Sequence, residues 1–87
     1  MNTRKRLYPK KMPLSEYPEF ADRLRIAMEL RNYTTAQLAD SIYTSSAAIS
    51  MYRNGKRMPS STVLCLIAKE LEVSADFLLG LSDYIYI

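Results

Sequence analysis

The chain has 87 residues, 48% of them hydrophobic, with no His, a single cysteine (Cys65) and a formal net charge of +3. That length supports one small domain, and the lone cysteine excludes an internal disulfide. No apolar run approaches the roughly 18 residues that a membrane span needs, and nothing resembles a signal peptide, so the expectation is a soluble, cytoplasmic protein with no membrane partner. The sequence shows no glycine-rich phosphate loop, no nucleophile with a base and no metal-ligand spacing. It therefore reads as non-enzymatic, with no cofactor and no metal site.

Charge is distributed unevenly. Residues 1–13 hold five of the 12 basic residues, Arg4, Lys5, Arg6, Lys10 and Lys11, and none of the 9 acids, so the remainder carries 7 basic against 9 acidic residues. Within that remainder Arg53, Lys56 and Arg57 form a basic run, while Glu70, Glu72, Asp76 and Asp83 make the C-terminal third acidic. One pole suits a polyanion and the other does not.

In chain order, residues 1–17 show no apolar period and read as a basic, mobile N-terminal arm. Helix 1 is expected to start near Pro18, where a missing N–H costs nothing, and Phe20, Leu24, Ala27, Met28 and Leu30 trace its apolar face. Thr34 and Gln37 form a capping box for helix 2, with Tyr33 and Leu38 as its staple and Leu38, Ala39 and Ile42 inward. Ser45 caps helix 3. At 100° per residue Ile49 and Tyr52 share one side of that helix with Ser45 and Arg53, and Ser46, Ala47, Ser50, Met51 and Asn54 share the opposite arc. Exposed helix faces are ordinarily rich in Glu and Lys. This arc has neither, and its small, hydrogen-bonding residues permit close approach to a flat partner. Gly55 ends the helix, and Lys56 to Pro59 form a basic loop.

Ser60 caps helix 4, whose apolar residues (Val63, Leu64, Cys65, Leu66, Ile67, Ala68 and Leu71) run most of the way round, the signature of a central helix with Cys65 as a small packing residue. Helix 5 is short, with Val73 as staple, Ser74 as cap, Phe77 and Leu78 as anchors and Gly80 as terminator. Residues 82–87 form an apolar tail. Its alternating, β-prone end from Tyr84 to Ile87 is expected either to fold back over the core or to pair with a second copy.

The ordered motifs Thr34-x-x-x-Leu38-Ala39, Ile49-x-x-Tyr52, Asn54-Gly55-Lys56-Arg57, Pro59-Ser60, Leu64-x-x-Ile67-Ala68-x-x-Leu71 and Val73-Ser74-x-x-Phe77-Leu78-Leu79-Gly80 resemble the phage-repressor-like (Cro/repressor, XRE) helix-turn-helix transcription factors. The resemblance implies an all-α, compact five-helix lambda-repressor-like domain over residues 18–81, with its helix-turn-helix at helices 2 and 3. Helix 3 would enter the major groove, with a homodimer on a palindromic operator. Matched by position, it implies a phosphate contact at Thr35, base-edge contacts at Ser46, Ala47, Ser50 and Met51, and backbone contacts at Asn54, Lys56 and Arg57. Ser45, Arg53 and the arm residues Arg4, Lys5 and Arg6 complete the expected DNA-binding set.

The departures from the family are also specific. Tyr43 stands where the family has Gly, so a left-handed turn there costs about 1–2 kcal/mol or the turn changes shape. The family's buried Arg–Glu pair falls on Met28 and Arg53 and cannot form. Ser46 and Ala47 replace the strong base readers, which shifts specificity toward Met51 on a thymine methyl, DNA shape or the arm. The expected function is a sequence-specific DNA-binding regulator that represses by occupying its operator. The second reading is an antitoxin-like or regulatory protein-interaction module that uses the same fold with a protein partner.

Overall fold

A computed structural model describes residues 18–86; the expected arm, including Arg4, Lys5 and Arg6, lies outside them, as does Ile87. Five helices follow in order, α1 (Pro18–Leu30), α2 (Thr35–Ser41), α3 (Ser46–Arg53), α4 (Ser61–Leu71) and α5 (Ala75–Leu78), with no strand among the described residues. The expected all-α, five-helix, compact architecture is the one observed. No described helix is long and apolar enough to cross a membrane.

The starts are set locally. Thr34 Oγ1 accepts the Gln37 N–H at 3.1 Å while Gln37 Oε1 accepts the Thr34 N–H at 2.9 Å, the reciprocal capping box. Ser45, Ser60 and Ser74 cap α3, α4 and α5 through the N–H groups of Ala48, Val63 and Phe77.

The ends share one device. Each helix closes with paired 6→1 and 5→2 backbone bonds around a residue of positive φ, at Asn32, Tyr43, Gly55, Glu72 and Gly80 in turn. The chain's two glycines occupy two of these five left-handed positions, and Asn32, Tyr43 and Glu72 adopt the other three at φ 56–60°.

Every helix contributes to one core. Leu24 of α1, Leu38 of α2, Ile49 of α3, Ile67 and Leu71 of α4 and Leu78 of α5 are fully buried together with Val73. The inner face of α3 lies against α1 and α2, while α4 touches α2 and α5, and α5 also packs on α1. Burial at about 25 cal/mol per Å² of apolar surface is what holds helices this short, since two turns alone are marginal in water.

Two expectations need correction. Leu30 is exposed, because the apolar stripe of α1 runs through Phe20, Ala21, Leu24, Ala27 and Met28 and has turned away from the core by the last turn. Helix α4 is not enclosed: Cys65 is exposed and Leu66 is 40% exposed, since α4 flanks the bundle and buries only the side bearing Ile67, Ala68 and Leu71. Of the two fates expected for the tail, the described residues show the fold-back: the Ile85 carbonyl accepts the Ser74 N–H at 2.7 Å and Ile85 packs on the core, with Tyr84 and Tyr86 exposed.

Candidate nucleic-acid interface

The turn between α2 and α3 is closed by two backbone bonds. Tyr43 N–H reaches the Asp40 carbonyl at 3.3 Å and Thr44 N–H the Ala39 carbonyl at 2.9 Å, with Tyr43 at φ 60°. The left-handed geometry of the turn is thus kept with a tyrosine in place of glycine, and the Tyr43 side chain stands 95% exposed. Two residues later Ser45 is extended (φ −94°, ψ 151°), and its hydroxyl takes the Ala48 N–H at 3.0 Å. Ser45 is exposed, although its hydroxyl is already engaged as an acceptor.

On α3, Ile49 and Tyr52 are buried, while Ser46, Ala47, Ser50, Met51 and Asn54 are all exposed, Met51 at 37%. The outer arc anticipated from periodicity is therefore one continuous face, and α3 carries no acidic side chain. Beyond it Gly55 N–H bonds the Tyr52 carbonyl at 3.2 Å and Lys56 N–H the Met51 carbonyl at 2.9 Å, with Gly55 at φ 73°. That reversal leaves Lys56 and Arg57 exposed beside the end of the arc while Met58 packs against the core. The Lys56 and Arg57 side chains make no ion pair among the described residues.

Thr35 and Arg53, separate candidates in the sequence, meet in space. Arg53 Nη1 donates to Thr35 Oγ1 at 2.6 Å, and both residues are half-buried. Arg53 Nε is buried and has no hydrogen-bond partner among the described residues. Its backbone carbonyl accepts from Arg25 Nη1, and Arg25 Nη2 is paired with Asp22 Oδ1. Arg25 had no mark in the sequence beyond being a basic residue on α1; only the packing of α1 on α3 reveals that it holds the end of the recognition segment.

Beside these residues lies an open groove of about 560 Å³, lined by Asp22, Arg25, Ile26, Glu29, Tyr33 and Arg53. Tyr33 donates its phenol proton to Glu70 Oε2 at 2.5 Å. The Glu70 carboxylate, by accepting that hydrogen bond, pushes the Tyr33 pKa above the ordinary 10.0.

A capped two-turn helix, a fixed left-handed turn and a second helix with an exposed, acid-free arc and a basic shoulder define a helix-turn-helix DNA-binding domain. The helix-turn-helix family matches residues 24–78, well over half of the chain, which belongs to that family, of the XRE type. The chain is similar to the HTH-type transcriptional activator BcrR of Enterococcus faecalis, at 37% identity over 62 residues, covering 71% of this chain and 30% of that protein. It thus spans less than a third of that relative's length. DNA-binding transcription regulation is the class of function the family defines.

Proposed function

We propose that the chain binds a specific operator sequence in duplex DNA through the outer arc of α3 and represses transcription by occupying that site as a two-fold dimer. The observation that carries this reading is the α3 surface. Ser46, Ala47, Ser50 and Met51 are exposed together with no charge among them, and Asn54, Lys56 and Arg57 follow directly. In this reading Ser46 and Ser50 meet base edges with a hydroxyl, and Ala47 and Met51 offer apolar contact to thymine methyls. Thr35, Asn54, Lys56 and Arg57, joined by Arg4, Lys5 and Arg6 of the arm, contact phosphates and sugars, which position the domain without reading sequence.

Binding carried by phosphate contacts is salt-dependent. Six to ten contacts over a dimer lose roughly 10³–10⁵ in affinity between about 50 and about 200 mM salt. Fluorescence anisotropy with a labelled duplex across that range tests the reading; flat salt dependence contradicts it. The direction of regulation follows from operator position, so a reporter with the selected site overlapping the promoter should fall in output when the protein is expressed. A rise would place this chain with activators, as the Enterococcus relative is named.

A second reading is favoured by one observation. Leu79, Leu81, Tyr84 and Tyr86 are exposed on the segment after α5, outside the helix-turn-helix. They support a protein-interaction module whose partner covers that segment. Retention of a defined partner at salt concentrations that abolish duplex binding would support it.

A further inference from the structure

Arg53 closes α3, yet its guanidinium is turned toward the start of α2. The four ion pairs among the described residues are Arg23–Glu19, Arg23–Asp83, Arg25–Asp22 and Arg31–Glu72, so Arg53 has no carboxylate partner there. Its Nη1 instead donates to Thr35 Oγ1 at 2.6 Å while its Nε stays buried and unpartnered among those residues. The end of α3 is also held from α1, where Arg25 binds the Arg53 carbonyl and is itself tied to Asp22.

The consequence for Thr35 follows from donor and acceptor counts. A guanidinium can only donate, so it takes up acceptor capacity on the threonine oxygen, and the hydroxyl's single proton is left to point elsewhere. A β-branched side chain with few χ1 choices, held by a charged donor, is fixed in that attitude. What the pair can offer is an O–H donor beside a positive charge, which fits an anionic oxygen and not another cation.

Resting on the operator-binding reading, we propose that Arg53 is a positioning residue for duplex DNA. It acts through Thr35, turning the Thr35 hydroxyl into a fixed donor for one backbone phosphate. Two contacts counted separately in the sequence are then one unit. Lys56 and Arg57, exposed and in no ion pair among the described residues, act as independent cations.

The test is a double-mutant cycle on the full chain, read as affinity for a short random-sequence duplex at low salt. R53M keeps the stem and removes the donors; T35V replaces the hydroxyl by a methyl at nearly constant shape. Each weakens binding about tenfold, and the R53M/T35V double variant is no weaker than the worse single, the mark of residues that act as one. T35S and R53K, which keep the acceptor and a donor, stay within about threefold of the wild type. K56A multiplies its loss onto R53M in full, which a general distortion by R53M would not predict. Should R53M fail to fold by thermal unfolding, R53Q takes its place in the cycle. Losses that multiply in the R53M/T35V double, or T35V binding at wild-type strength, overturn the proposal while leaving operator binding intact. A wild-type chain that does not bind duplex at low salt overturns both.

Discussion

Nη2 of Arg23, near the middle of α1, lies 2.8 Å from Oδ1 of Asp83, beyond the end of α5. The same guanidinium donates to the carbonyls of Phe77 at 3.1 Å and Ser82 at 2.6 Å and stands 4.5 Å from the centre of the Phe77 ring. One side chain thus ties the return segment after α5 to the first helix.

The two partners of that pair should contribute unequally. The Arg23 side chain is 17% exposed and that of Asp83 95%, so the ion pair is solvent-screened while the carbonyl bonds are not. Arg23→Ala should cost about 2 kcal/mol, from the lost bonds to the Ser82 and Phe77 carbonyls, the latter keeping its bond from the Gly80 N–H, and from the lost ring contact, and Asp83→Asn no more than about 0.5 kcal/mol. Urea midpoints at constant slope measure both.

Tyr43 holds φ 60° with its side chain almost wholly in water, so it bears a conformational strain that no packing offsets. Tyr43→Gly should stabilise the fold by about 1 kcal/mol after allowing for the greater freedom of glycine in the unfolded chain. For a domain of this size that raises Tm by roughly 4–8 °C. Gly55→Ala, at φ 73°, should lower it by a similar amount.

Tyr33 gives the fold a limit at high pH. Its pKa is raised in the folded state, chiefly by donation to Glu70, so its contribution is complete below the unfolded value of 10.0 and is lost as pH rises through the higher folded value. Unfolding free energy followed from neutral pH to above 10 should decline, and Tyr33→Phe should decline less steeply across that window. An identical slope in the two proteins would show that the Tyr33–Glu70 bond carries none of the effect.

What the sequence disclosed is what is decided locally. Thr34, Ser45, Ser60 and Ser74 cap the helices they were expected to cap, because a cap is settled within three residues of chain. The outer arc of α3 was legible for the same reason, since burial of Ile49 and Tyr52 fixes where every neighbour points.

The arginines were not legible. Arg23, Arg25, Arg31 and Arg53 bond partners 60, 28, 40 and 18 residues away, two of them backbone carbonyls that carry no side-chain signature. Periodicity also overstated α4. Apolar residues at Cys65 and Leu66 suggest enclosure, but a bundle with few neighbours for α4 leaves that side in water. Tyr43 illustrates a third limit, because paired backbone bonds closing the turn outweigh a strain of about 1–2 kcal/mol at a single residue.

The reading of α3 is tested most directly by selecting bound sequences from a random duplex pool with the wild-type chain and with Met51→Ala. The wild type should enrich an inverted repeat whose half-sites lie about one helical turn apart, roughly 10 base pairs. Met51→Ala should retain the repeat and its spacing but lose preference at one position in each half-site, where a thymine methyl is expected. No enrichment by the wild type, or the same enriched sequence from both proteins, would contradict base reading by this face.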